Sequence, residues 1–230
     1  VIAAQPQLYD LSAMSDDDYF LNEKNPEILF TYGYYLVSYY AWLAKCNFPI
    51  SDDLQALYGD NDWRLTHFFY KRRAVYTAQK SETSGTTGIY GYAFRTAEAY
   101  LNRAEAYAGK GDKDKALQDL KTIREKRLKV YEEVQAVTKE DVIRRVREER
   151  RRELSFEFHR WFDLRRWDRP RIEHTFTPDI KQPDVVEKYV LEKDDPAYTL
   201  PLPRSVVEYD PTLVDNPRPQ RENQNVTGEN

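Results

Sequence analysis

Between Arg95 and Arg127, small and apolar residues recur at Ala97, Tyr100, Leu101, Ala104, Tyr107 and Ala108, the i, i+3, i+4, i+7 spacing of one helix face. Gly109, Gly111 and Asp112 interrupt the pattern, and Ala116, Leu117, Leu120 and Ile123 resume it. The spacing therefore predicts two helices folded back across a short turn, a helical hairpin over 93–128. Ala104, Tyr107, Gly111, Ala116, Leu120 and Ile123 fall at tetratricopeptide spacing: small residues where helices cross closely, an aromatic that fills the gap and a glycine at the turn. One such hairpin cannot bury its own apolar face, since about three stacked units are normally needed. The chain carries no second clear copy, so stacking partners are expected from elsewhere.

A second pattern predicts one long helix over 138–168. Thr138 is the expected N-cap, with Glu140 and Asp141 in the first turn where negative charge suits the helix dipole. Val142, Val146, Leu154, Phe158, Trp161, Phe162 and Leu164 supply an apolar face. Arg144/Glu148, Arg145/Glu149 and Glu148/Arg152 stand at i, i+4 along its flank, and Pro170 ends it. Phe30, Tyr32, Tyr34 and Leu36 alternate at period 2, the pattern of a strand. Leu200-Pro-Leu-Pro-Arg-Ser205 is expected to be extended until Ser205 caps a short turn. Residues 218–230 are expected to form a disordered polar tail.

Composition narrows the function. The chain is 40% hydrophobic and 32% charged, with a formal charge of −4. Between Arg144 and Arg171, 11 arginines face 6 acids, but the acids are interleaved at pairing distance, which favours a paired structural helix over a nucleic-acid surface. Gly85-Thr-Thr-Gly88-Ile-Tyr-Gly91 lacks the Lys-Ser/Thr of a phosphate loop and reads as a polar loop. His67, His159 and His174 are too scattered for a metal site, and Asp16-Asp-Asp18 and Asp60-Asn-Asp62 read as solvated turns. The sequence has no nucleophile-elbow or zinc-protease pattern and points to no cofactor; its many carboxylates leave a glycosidase pair open, since separation in space decides that, and abundance alone is no evidence for catalysis. Cys46, the single cysteine, reads as buried apolar filler that forms no internal disulfide. No apolar run reaches the 18 or so residues of a spanning helix.

The segment Glu149-Arg-Arg-Arg-Glu153-Leu-Ser-Phe156-Glu157-Phe-His-Arg160-Trp161-Phe-Asp163-Leu-Arg-Arg-Trp167 resembles the signature helix of the SusD/RagB family, outer-membrane nutrient-binding lipoproteins of Bacteroidetes. Four further segments agree in order: Asn25-Pro-Glu-Ile-Leu-Phe30, Asp62-Trp-Arg64, the helix from Phe94 to Tyr107, and Leu200-Pro-Leu-Pro-Arg-Ser205 followed by Asn216-Pro217. Phe158 departs from the family pattern, which commonly has a small residue before the Arg-Trp step. The resemblance implies a mainly α, SusD-like fold of tetratricopeptide-like hairpins with loop-rich excursions and minor β, residues 1–217 forming the C-terminal part of such a domain. It also implies a surface-exposed protein with an oligosaccharide ligand and a SusC-like TonB-dependent transporter as partner. The signal and lipid anchor of such a protein would lie upstream of Val1. RagB-type members handle peptides, and a pure interaction scaffold is the reading from another class.

The aromatic content carries the chemistry of binding. The chain holds 18 Tyr, 10 Phe and 4 Trp, with Phe30, Tyr32, Tyr34, Tyr35, Tyr39, Tyr40, Trp42 and Phe48 crowded together. A flat ring with a polar edge suits the C–H face of a pyranose, while amides meet its hydroxyls. Tyr39, Tyr40, Trp42 and Asn47, beyond the alternating run, are the expected ligand-binding residues. Trp63, Trp161 and Trp167 are expected in the core.

Overall fold

The computed structural model describes residues 1–15, 18–31, 49–72, 75–80, 93–176, 185–216 and 224–227. Two compact units divide the chain, Val1–Arg160 and Trp161–Asn230.

In the first unit, short elements precede the hairpin: β1 (Ile28–Thr31), α1 (Asp52–Gln55), α2 (Arg64–His67), and the strands β2 (Phe69–Arg72), β3 (Val75–Ala78) and β4 (Ala93–Arg95). β1 pairs antiparallel with β4, and β2 with β3. Then come α3 (Thr96–Lys110), α4 (Lys113–Arg124) and α5 (Lys139–Glu153). Gly111 sits at φ 82°, a left-handed cap that a Cβ would strain, and Asp112 accepts the Lys115 amide to start the return helix. The hairpin is therefore as the spacing predicts.

Its stacking partner lies within the chain: α5 packs on the pair, so that Leu101, Ala104, Leu120 and Ile123 share one core with Val142, Val146 and Leu154. A second cluster gathers Leu11, Phe20, Leu54, Tyr58 and Phe68. Thr138 caps α5 through a reciprocal box with Asp141. The helix flank pairs partly as expected. Arg144 reaches Glu148, but Arg145 also turns to Glu148 and Arg152 to Glu149, because Glu149 points inward.

The long helix over 138–168 does not form as one piece. α5 ends at Glu153, and α6 (His159–Arg166) begins after a break in which Phe156 and Phe158 adopt φ 59° and 66°. Each left-handed phenylalanine costs about 1–2 kcal/mol, so the break must be held by contacts from outside the helix. It also undoes part of the expected apolar face: Leu154 and Leu164 are buried, while Phe158 and Phe162 are exposed.

The second unit carries β5 (Ile172–Phe176), β6 (Val185–Leu191), α7 (Arg204–Tyr209) and β7 (Gln224–Thr227), with sheet order β5-β6-β7, all antiparallel. Ser205 lies inside α7, and Pro203 occupies the cap position without a side-chain bond. Within the stretch expected to be a polar tail, 224–227 pairs as an edge strand on β6. Trp161 stacks on Tyr198 with centroids 5.2 Å apart. Among the described residues, no helix is long and apolar enough to cross a membrane.

Candidate functional site

The motif residues converge on a buried charge frame. Asp62 opens the turn before α2, and both its oxygens accept from Arg64, Nε to Oδ1 at 2.9 Å and NH2 to Oδ2 at 2.7 Å. Arg64 also donates through NH1 to Glu149 (2.7 Å) and Glu153 (3.1 Å). Arg95, at the end of β4, forks onto Glu157 with Nε and NH2 at 2.8 and 2.7 Å, and its NH1 reaches Glu27 (2.7 Å) and Glu153 (3.0 Å). Arg127 donates to both oxygens of Glu153, each at 3.0 Å, and to Glu27. Lys80 pairs with Glu157 and stands 3.9 Å above the Phe68 ring. Glu27, Arg64, Arg127 and Glu153 are inaccessible to solvent.

Charges taken this far from water stay ionised only when fully partnered. Burial pushes the Glu153 carboxyl up, but Arg127, Arg95 and Arg64 outweigh it and hold the group well below the usual carboxylate range. Burial also opposes ionisation of Glu149 and Glu157, and Arg64 at the first and Arg95 at the second more than offset it, so both lie low as well. Burial dominates at Lys80, where it pulls the ammonium down to about 8 despite Glu157.

Carboxylates depressed in the folded state contribute stability that is complete above their unfolded value, about 4.3, and is lost as pH falls through the folded value. Urea midpoints are accordingly expected to change little between about pH 7 and 5 and to fall steeply below about 4.5. Unchanged midpoints at about pH 3 would contradict an ionised frame.

This frame is architecture. Its groups are spent on one another, and the motif residues Glu27, Asp62, Arg64, Arg95, Glu149, Glu153 and Glu157 together lock β1, β4 and the 154–158 break to α5. The reading of Asp62 as a solvated turn residue is thereby corrected: it is buried against Arg64. Spacing alone could not pair acids and arginines 58–89 positions apart. Trp63 lies partly buried against His67, with Lys129 over its ring.

Tyr39, Tyr40, Trp42 and Asn47 lie outside the described residues, as do Cys46 and the Gly85–Gly91 loop. The structure does describe both ends of the aromatic stretch. β1 runs into it at Thr31, and after it Pro49 bridges Thr77. At its entrance Phe30 of β1 and Phe94 of β4 stack with centroids 6.2 Å apart and remain 57% and 50% exposed. An exposed ring pair beside an aromatic run is chemistry suited to a flat apolar ligand face. Sequence periodicity missed this pairing, because Phe94 is brought to Phe30 only by the β1–β4 ladder.

A separate pocket of about 320 Å³ opens beside α4 and α5, lined by Leu57, Asn61, Arg124, Glu132, Arg145 and Arg152 among others. Among the described residues no aromatic ring lines it, and Arg124 and Arg152 already donate to Glu149. Its chemistry is unlike that of the Phe30–Phe94 surface.

Solved structures share this fold. A SusD superfamily protein from Bacteroides thetaiotaomicron aligns at 24% identity and TM-score 0.68, over 92% of this chain and 52% of that one. A SusD-like carbohydrate binding protein from Bacteroides vulgatus aligns at 20% identity and TM-score 0.55, over 84% and 45%. A putative sugar binding protein from the same species aligns at 23% identity and TM-score 0.58, over 77% and 41%. The chain thus spans about half the length of the solved structures it matches. Among curated proteins none matches significantly. The SusD family model matches residues 31–218, from the end of β1 through the charge frame and past α7, and the chain belongs to the SusD family.

Proposed function

We propose that this protein captures an oligosaccharide at the cell surface and passes it, uncleaved, to a TonB-dependent outer-membrane transporter, held at the membrane by an N-terminal lipid. The observation that carries the reading is the exposed, stacked Phe30–Phe94 pair at the entrance to the aromatic run holding Tyr39, Tyr40, Trp42 and Asn47, in a chain of the SusD family. Preformed rings supply the sugar's apolar face with a partner at low entropic cost, and Asn47 supplies an amide for its hydroxyls. Two solved relatives described as carbohydrate or sugar binding proteins support the ligand class.

The test is an oligosaccharide array followed by calorimetry on the full-length protein, with Tyr40→Ala and Trp42→Ala beside wild type. Each substitution is expected to weaken binding about tenfold or more with the fold retained. Undiminished binding in both would move the site away from 39–47. Binding of peptides with no oligosaccharide bound would replace the cargo, and binding of neither would leave a scaffold.

A further inference from the structure

Arg124, Arg145 and Arg152 line the pocket of about 320 Å³ beside α4 and α5, and their charges are thinly answered. A single oxygen of Glu149, Oε2, accepts from Arg124 NH1 at 3.1 Å and from Arg152 Nε and NH2 at 3.2 and 2.8 Å. Its other oxygen is taken by Arg64, so this one carboxylate serves three guanidinium groups. Asp62, the other buried acid of the lining, gives both its oxygens to Arg64. Arg124 Nε is enclosed without a hydrogen-bond partner. Arg145 spends Nε on the Gln135 carbonyl and NH1 on Glu148, an acid it shares with Arg144. Guanidinium donors therefore outnumber acceptors around Glu149, and the Arg124 and Arg152 side chains are only 15% and 12% exposed, so little water screens them.

The exposed part of the lining has a different chemistry. Glu133 and Gln135 lie on the segment between α4 and α5, and among the described residues neither side chain makes a hydrogen bond. Leu57, Leu128 and Val134 add an apolar wall. A ligand that answers all three parts carries a carboxylate for the guanidinium groups, hydroxyls for Glu133 and Gln135, and a C–H surface for the aliphatic side chains. A uronic acid, a pyranose with a carboxylate at C6, has these parts in one ring. The volume lies at the small end of ligand sites, about 300–1,000 Å³, which suits one sugar residue and not a chain. Glu132 and Glu133 are both exposed, where water and salt screen their charge, so they do not cancel the pull of the enclosed arginines on an anion.

We infer that this pocket binds a single uronic acid residue, its carboxylate held by Arg124, Arg145 and Arg152 and its hydroxyls by Glu133 and Gln135. The inference rests on the oligosaccharide reading above and names an acidic sugar as part of the cargo. The test is calorimetry on the full-length protein with an oligosaccharide ending in glucuronate and the same oligosaccharide ending in glucose. Wild type is expected to bind the glucuronate form about tenfold more tightly, as charge-assisted hydrogen bonds to arginine require. Arg124→Gln and Arg145→Gln are each expected to reduce that preference to about threefold or less. Arg145 contacts only the Gln135 carbonyl and Glu148 among the described residues, so its removal leaves the buried frame intact and keeps the test readable if Arg124→Gln loosens α4. Equal binding of the two forms by wild type overturns the site while leaving oligosaccharide capture intact. A preference that survives Arg145→Gln undiminished places the anion elsewhere and overturns it too. Wild type that binds no oligosaccharide of any kind on the array removes the underlying reading and this one together.

Discussion

Glu153→Gln is expected to destabilise the protein by about 3–5 kcal/mol, the usual cost of removing one partner from a buried charge cluster. Glu153 is the shared counter-ion of Arg64, Arg95 and Arg127, accepting from them at 3.0–3.1 Å with no exposure to solvent. Glutamine keeps the shape but removes the charge, and its amide presents donors to guanidinium groups that are donors only. Three arginines would then share the remaining acids, with no water to take up the deficit. Against a typical stability of about 5–15 kcal/mol, the loss should be plain in urea unfolding followed by circular dichroism. Glu148→Gln is the control, because Glu148 pairs with Arg144 and Arg145 near the surface, where such bridges are worth about 0–1 kcal/mol. Equal unfolding midpoints for the two variants would mean that water reaches the frame and that Glu153 is not its shared counter-ion.

Leu120→Ala should cost about 2–5 kcal/mol, the sum of the transfer energy forfeited and the cavity left between helices that cannot close over it. Leu120 is fully buried on α4, in one core with Leu101 and Ala104 of α3 and Val142 and Val146 of α5. The alanines already at 104 and 116 let the helices approach closely, so the neighbourhood has little slack with which to fill a void. A loss below about 1 kcal/mol would show that α5 does not stack on the hairpin.

How much could be read in advance depends on the range of the interaction involved. The hairpin was legible because a helix face is written within four residues, and Gly111 and Asp112 signal the turn from where they stand. The Thr138 cap was legible for the same reason, its partner Asp141 being three residues away. The continuous helix over 138–168 was not a sound expectation, because apolar spacing continues through Phe158 and Trp161 while the backbone obeys Arg95, 62 positions before Glu157. Aromatic density points to the stretch that holds Tyr39, Tyr40, Trp42 and Asn47, but density alone cannot show which rings face outward. Phe30 shows the limit: its alternating pattern predicts a strand but not which face is covered, and in the fold it is exposed and stacked on Phe94.

By itself the sequence determined the family, the hairpin and the helix caps, all of them properties carried by neighbouring residues or by ordered motifs. Only the tertiary structure decided that the motif acids and arginines form one buried frame, that α5 is the hairpin's partner, and that Phe156 and Phe158 are turned outward. Those outcomes depend on burial and on charge pairs between distant segments, where the exclusion of water multiplies the strength of each interaction and no local pattern records the partner.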